Sequence, residues 1–451
     1  MNPHLKTILA CATMLGTLIA SAQTPWQIES YFLNYLQGNH TPFVSTRTIS
    51  PDAIASTEHT VWQSWLKANN LFIEEKLPAL APLTADKSWR WNLPDTLEPS
   101  ASMPFYWGIK GDSKPEDGYP FFLYLHGSGP KDHEWANGIK LGQRFNDAPS
   151  IYFIPQIPNE GEYYRWWQRA KQFAWDKLLR QVLASGQVDP NKIYMFGISE
   201  GGYGSQRLGS FYADYLAGAG PMAGGEPLKN APAENLRNTA FSLRTGDQDF
   251  GFYREQLTRY TKRALDSLQR LHPDGYTHQV ELIPGYGHAI DYDPTTPWLR
   301  QHTRNPYPKH VTWENFEMDG LYRDGFYNLY VDQRSNSDTS TRTLYEMDIN
   351  GNDINLCVSL VEYTTTETDP RWGIALDFAK YYTRAATGVV TVYLNNQLVD
   401  LAKPVTLTVN GNVAYHGLLT PTLENMVNSC ARFFDPARIY PAAITVDLSR
   451  L

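Results

Sequence analysis

Two runs, Phe121-Phe122-Leu123-Tyr124-Leu125 and Ile193-Tyr194-Met195-Phe196, are apolar at every position, with no alternation between inward and outward residues. A strand of this kind has to be covered on both faces, which excludes a sheet with one solvated side. Similar short runs recur along the middle of the chain. Strands are expected at 89–93, 104–109, 119–125, 150–154, 192–198, 215–221, 239–243 and 277–283. Helical spacing occupies 166–183, 202–212 and 252–271, between the later strands. Alternation of strand and helix predicts an α/β fold built on a mostly parallel eight-stranded sheet flanked by helices.

The flanks read differently. Residues 1–22 have the texture of a signal peptide: Lys6, an apolar stretch from Ile8 to Ile19, and Ala20-Ser21-Ala22 before Gln23. Ile8-Leu9-Ala10-Cys11 also resembles a lipoprotein box, but only ten residues precede Cys11, too few for both a charged and an apolar region. An exported, periplasmic or secreted protein is expected. No later stretch reaches the roughly 20 apolar residues of a membrane span, so no membrane insertion is expected. Residues 23–85 read as a helical segment (26–35 and 61–77), 86–305 as the α/β region and 306–451 as a smaller β-rich domain. In that last part Val405-Thr406-Leu407-Thr408-Val409 alternates strictly and Asn410-Gly411 signals a hairpin, with further turns at Asn350-Gly351 and Asn395-Asn396 and one late helix near Pro421.

Charge narrows the partners. The formal net charge is −8, and losing Lys6 with the leader makes it −9. Such a chain is not built for nucleic acid or for an anionic membrane surface. After the leader only Cys357 and Cys430 remain. Export permits a disulfide between them, and two free thiols are the other reading. No Cys/His spacing suggests zinc, and no metal or cofactor is expected. Asp348-Ile349-Asn350-Gly351-Asn352-Asp353 hints at a calcium loop but has Asp where the sixth position needs Gly and lacks the distal Glu, so a plain turn is favoured.

The chemistry concentrates in Gly197-Ile198-Ser199-Glu200-Gly201-Gly202, directly after one of the unbroken apolar strands and before a helical stretch. A G-x-S-x-G sequence in a strand–turn–helix context presents the serine at the carboxyl edge of the sheet. A serine hydroxyl needs a base to become a nucleophile. His288 is the candidate, in Pro284-Gly285-Tyr286-Gly287-His288 after the last strand, ahead of His272, His278, His302, His310 and His416. A surface loop histidine is the bland alternative. For the acid, Thr245-Gly246-Asp247-Gln248-Asp249 offers two carboxylates. Hydrolases that the serine turn resembles often show G-x-x-D here, which implies Asp249 with Asp247 capping the loop; Asp247 itself and Glu226, after Ala223-Gly224-Gly225, stay open as the acid. Oxyanion donors are expected from the Glu200 amide and from His126-Gly127-Ser128-Gly129, where Gly127 or Ser128 supplies the second N–H and His126 anchors the loop.

These paired elements, some 70 residues apart in matching strand contexts, make residues 88–300 resemble the α/β-hydrolase superfamily in its secreted esterase branch. With Tyr307-Pro308-Lys309-His310-Val311-Thr312-Trp313 and the β-rich tail, the chain looks most like the pectin methylesterases of α/β-hydrolase type from glycan-degrading gut bacteria. That resemblance implies a Ser199–His288–Asp249 triad and a serine carbohydrate esterase acting on methylated galacturonan. Acetyl and feruloyl esterases of xylan or pectin use the same triad. A prolyl-oligopeptidase-like peptidase would carry a large propeller ahead of the hydrolase region, and a non-catalytic glycan-binding scaffold would not keep the three residues. Glu162-Tyr163-Tyr164-Arg165-Trp166-Trp167-Gln168-Arg169 follows the fourth strand and should overhang Ser199. Aromatic rings at Trp166 and Trp167 suit a sugar, and Arg165 and Arg169 suit a uronate carboxylate. The alternative places the two tryptophans in the core and the arginines in solvent. Arg207 is expected to serve as a structural ion-pair partner.

Overall fold

The computed structural model describes residues 24–451, so the leader and lipoprotein-box readings lie outside the described residues. Eight strands form one sheet: β1 (Trp89–Asn92), β2 (Ser102–Lys110), β3 (Tyr119–Leu125), β4 (Ser150–Pro155), β5 (Val188–Ile198), β6 (Gly218–Met222), β7 (Ala240–Gly246) and β8 (His278–Ile283). Their order is β1-β2-β4-β3-β5-β6-β7-β8. The β1–β2 and β2–β4 pairs are antiparallel, and every pair from β4–β3 to β7–β8 is parallel. With helices on both faces, this is the α/β-hydrolase architecture.

The unbroken apolar runs are explained by those two faces. Phe121, Leu123, Leu125, Ile193 and Met195 pack into one cluster with α4 (Arg169–Ala184) and α5 (Glu200–Phe211). Phe122, Tyr124, Tyr194 and Phe196 point the opposite way, toward α3 (Lys131–Arg144) and α7 (Thr295–Leu299). Helix α6 (Arg254–Leu271) packs over β7 and β8, where its Leu265 joins Phe241, Leu243 and Val280. Each fully buried side chain of this size contributes about 1.5–3 kcal/mol. Several boundaries differ from expectation, among them the second N-terminal helix, which spans Ile54–Leu71 rather than 61–77, and the fifth strand, which begins at Val188 rather than at 192. Helix α4 starts at Arg169 rather than at 166, leaving Trp166 and Trp167 in the preceding loop. Residues 213–215 form a 3-10 turn, so the sixth strand begins at Gly218.

The N-terminal helices α1 (Pro25–Leu36) and α2 (Ile54–Leu71) do not cover this sheet. Phe32, Val61 and Trp65 share a core with Val427 and Cys430 of the late helix α8 (Leu423–Phe433). The rest of the C-terminal part is β9 (His310–Asn315), β10 (Gly325–Phe326), β11 (Leu329–Gln333), β12 (Arg342–Asn350), β13 (Asp353–Thr368), β14 (Ala375–Arg384), β15 (Val389–Leu394), β16 (Val405–Val409), β17 (Asn412–Gly417) and β18 (Ala442–Asp447). They form a sheet of order β10-β11-β15-β18 and another of order β17-β16-β13-β12-β9, with β14 paired to β13. Residues 348–353 form the tight β12–β13 turn, with Asn350 paired to Asp353. The disulfide reading is overturned: Cys430 is buried against α1 and α2, Cys357 is exposed on β13, and both are free.

Two features tie this β-rich part to the hydrolase sheet. Asp214 accepts from Arg323 and Arg438, and Asp435 accepts from Arg304 and Arg438, forming a largely buried charge network. The β13–β14 hairpin also runs beyond its own sheet and reaches α6, where Glu367 accepts from Gln256 and Tyr260.

Candidate active site

Ser199 sits between the end of β5 and the first residue of α5, with φ 55° and ψ −111°. A left-handed conformation is costly for a residue with a Cβ and persists only where its surroundings over-determine it. Here the Ser199 N–H donates to the Met222 carbonyl of β6 at 2.9 Å, and its own carbonyl accepts from Tyr203 N–H at 3.0 Å. Glycine is required at 201 because a Cβ there would overlap the Leu125 and His126 carbonyls. That close approach brings the end of β3 against the serine turn.

His288 Nε2 lies 3.0 Å from Ser199 Oγ, and Nδ1 lies 2.7 Å from Asp249 Oδ2. A carboxylate only accepts, so Nδ1 carries the proton and Nε2 is left to accept the serine hydroxyl. Asp249 is buried and also accepts from Arg254 at 2.8 Å. Burial pushes its carboxyl up, but the His288 hydrogen bond and the Arg254 charge outweigh this and hold it below the usual carboxylate range. The other two candidate acids are engaged elsewhere. Asp247 accepts the Gly285 amide at 2.8 Å, and Glu226 accepts from Arg207 at 2.7 Å and Asn230 at 2.9 Å.

The His126-Gly127-Ser128-Gly129 loop is held from behind. Burial pushes the His126 imidazole down to about 4, so it is neutral. Its Nδ1 donates to the Gly127 carbonyl at 2.7 Å while Nε2 accepts from Ile157 N–H at 3.1 Å. Tyr164 O–H donates to the carbonyls of Gly127 and Gly129 at 2.8 and 2.9 Å. The loop lies against the serine: a Cβ on Gly127 would stand 3.4 Å from the Ser199 Cβ. Among the described residues, the amides of Gly127, Ser128 and Glu200 donate to no protein acceptor. The last is the first orphan N–H of α5.

The overhanging segment divides. Arg165 and Trp167 line the cleft of about 390 Å³ that also contains Ser128, Ser199, Glu200 and Tyr203. Arg165 is half-exposed, 3.6 Å from Glu200, and Trp167 carries the Arg207 guanidinium 3.8 Å from its ring centre. Trp166 is not a substrate-facing residue. It is fully buried, donates to the His126 carbonyl at 3.0 Å and packs on Trp175. Arg169 is also off the cleft, since its N–H donates to Asp319 at 2.7 Å and its guanidinium to the Gly320 carbonyl at 3.2 Å. As the first residue of α4, it faces the loop that caps that helix.

Sequence reasoning assigned Glu200 only a backbone role. Its side chain lines the cleft, is 7% exposed, and leaves Oε1 without a hydrogen-bond partner. Burial pushes the carboxyl up to about 7, against the opposing pull of Arg165. Phe252 and Ile374 also line the cleft, the latter from the tip of the β13–β14 hairpin. Their sequence separation from Ser199 left no local signal of this.

No family model matches the chain, and no curated protein matches it. Among solved structures, it is similar to a thermostable esterase at 19% identity, covering 48% of this chain and 63% of that one, with a TM-score of 0.38. It is similar to a fluorophosphonate-binding serine hydrolase of Staphylococcus aureus at 15% identity, covering 49% and 99% of the two chains, with a TM-score of 0.36. A ferulic acid esterase of the anaerobic fungus Anaeromyces mucronatus shows 15% identity over 50% and 92% of the two chains, with a TM-score of 0.32. At such low identity and TM-score, none of these likenesses assigns a reaction or a substrate to this chain.

Proposed function

We propose that this chain is an exported serine esterase that removes ester substituents from plant cell-wall polysaccharide, with methyl esters of galacturonan as its substrate. The observation carrying the esterase reading is the hydrogen-bonded sequence Ser199 Oγ, His288 Nε2, His288 Nδ1, Asp249 Oδ2 beside free amides at Ser128 and Glu200. Ser199 Oγ attacks the ester carbonyl as its proton passes to His288 Nε2, and the amides stabilise the oxyanion. Collapse of this intermediate breaks the bond to the alkoxy group, which takes the proton from His288 and leaves as methanol. The galacturonoyl group stays on Ser199 until water, deprotonated by His288, repeats the sequence and frees the carboxylate.

Arg165 supports the uronate reading. It is half-exposed in the cleft, and its nearest carboxylate, Glu200, is pushed toward the neutral form. A guanidinium of this kind is available to a uronate carboxylate or an ester carbonyl. The apolar lining from Trp167 and Phe252 favours a second reading, a feruloyl ester, in which the acyl group is itself aromatic. The test is an ester panel of methylated pectin, acetylated xylan and pectin, and methyl ferulate. Methanol release from pectin at the highest kcat/KM is expected. Acetate or ferulate release in its place would overturn the methyl ester reading.

A further inference from the structure

The β13–β14 hairpin ends in Asp369-Pro370-Arg371-Trp372-Gly373-Ile374, a tip whose geometry is fixed internally. Buried Asp369 accepts the amides of Arg371 at 3.0 Å and Trp372 at 2.5 Å, and its own N–H donates to the Ile374 carbonyl at 2.8 Å. It also accepts from the Tyr253 hydroxyl of the hydrolase region. On that side Phe252 and Tyr253 both have positive φ, 52° and 59°, two successive residues in a conformation that side chains disfavour. This backbone turns Phe252 outward onto Trp372, with ring centres 5.1 Å apart and a stacked arrangement. Arg371 lies 4.4 Å from the Trp372 ring centre and forms no salt bridge among the described residues.

Ordinary burial does not explain this group. Phe252 and Trp372 remain 51% and 45% exposed although they touch, and an unpaired guanidinium stands beside them. The group is continuous with the cleft, because Phe252 and Ile374 line it together with Ser199. Flat apolar faces next to a planar cation match a ring with an apolar face and a carboxylate at its edge. Resting on the polysaccharide esterase reading above, we infer that the hairpin tip and Phe252 form a distal subsite for a uronate ring of the same glycan, away from the ester being cleaved. The pyranose stacks on the Phe252–Trp372 surface, and its carboxylate pairs with Arg371. On this account the C-terminal domain supplies part of substrate recognition, and glycan length contributes to affinity.

The test measures binding in the Ser199→Ala background, where no turnover interferes, using unesterified polygalacturonate and neutral xylan as probes. Trp372→Ala is expected to weaken polygalacturonate binding at least fivefold, with Trp372→Tyr retaining most of it. Arg371→Gln, a change at an exposed side chain, is expected to weaken polygalacturonate several-fold and xylan by less than twofold. Polygalacturonate binding within twofold of the parent in both Trp372→Ala and Arg371→Gln overturns the inference. A parent that binds no polygalacturonate, or equal losses on both glycans in Arg371→Gln, overturns it as well. Because these are binding measurements, they are independent of catalysis. A wild-type protein that cleaves no ester would sink the proposed function alone.

Discussion

Asp247 accepts the amide of Gly285 at 2.8 Å, three residues ahead of His288 on the loop that brings the imidazole over Ser199. The neighbouring Asp249 bonds the imidazole itself. One carboxylate shapes the loop, and the other orients the ring.

Those positions separate the two substitutions. Asp249→Asn presents a donor or a weaker acceptor to Nδ1, so the tautomer that leaves Nε2 free is no longer favoured. Turnover should fall by about 10⁴-fold. Asp247→Asn keeps an oxygen for the Gly285 amide and should cost less than tenfold. The check is kcat on an aryl acetate for both variants. A larger loss at Asp247 would remove Asp249 from the mechanism.

Arg165→Gln should raise KM for methylated pectin several-fold, because the cleft loses its half-exposed cation while the net charge of the chain repels an anionic polymer. Added salt should weaken the wild-type preference for pectin, since exposed charges are screened over about 10 Å at 0.1 M. Arg169→Gln should leave pectin kinetics near wild type, its side chain being tied to Gly320. Equal KM effects from the two changes would contradict this assignment.

Glu200 gives a pH signature. Its carboxyl ordinarily titrates near 4.5 and is raised to about 7 in the folded protein. Between those values the folded state holds the proton more tightly than the unfolded state, so this group's contribution to stability falls as pH rises from 4.5 to 7 and levels off above. The span corresponds to a loss on the order of 3 kcal/mol. Glu200→Gln removes the titration, and its melting temperature should change less between pH 5 and 7 than that of wild type. Parallel melting curves across this range would refute the assignment.

The charge network between the domains should be intolerant of losing one member. Asp435 lies fully buried between Arg304 and Arg438, and its carboxyl is held below the usual range: burial raises it, and the two guanidinium charges more than reverse that. Asp435→Ala leaves Arg304 without its carboxylate partner and Arg438 with Asp214 alone, and should cost about 3–5 kcal/mol in urea unfolding. A cost below about 1 kcal/mol would show that solvent compensates them.

The sheet was legible because its strands are apolar on both faces, and β3, β5 and the serine turn could be placed from residue type alone. Helix α3 was not. Its Gly138 and Gly142 lower helix propensity, and they are present because the helix packs closely on Tyr124, Tyr152 and Ile154. Ser199, His288 and Asp249 were legible through turn glycines and chain order. The fates of Trp166 and Trp167 were not, since adjacent tryptophans ahead of a helix give no sign of which one turns inward. Nor was the hairpin tip, whose place beside the cleft depends on how the β-rich domain docks. The pairing of the two cysteines was open from sequence; in the fold both are free, Cys430 buried and Cys357 exposed.

In the proposed mechanism Ser199 attacks the ester carbonyl, and comparing hydrolysis of an aryl acetate and of methylated pectin by wild type and Ser199→Ala decides whether it does. Wild type should turn over both substrates, and the variant, with an unchanged melting temperature, should lose at least about 10³-fold in kcat on each. Turnover by Ser199→Ala within tenfold of wild type on either substrate would contradict that mechanism.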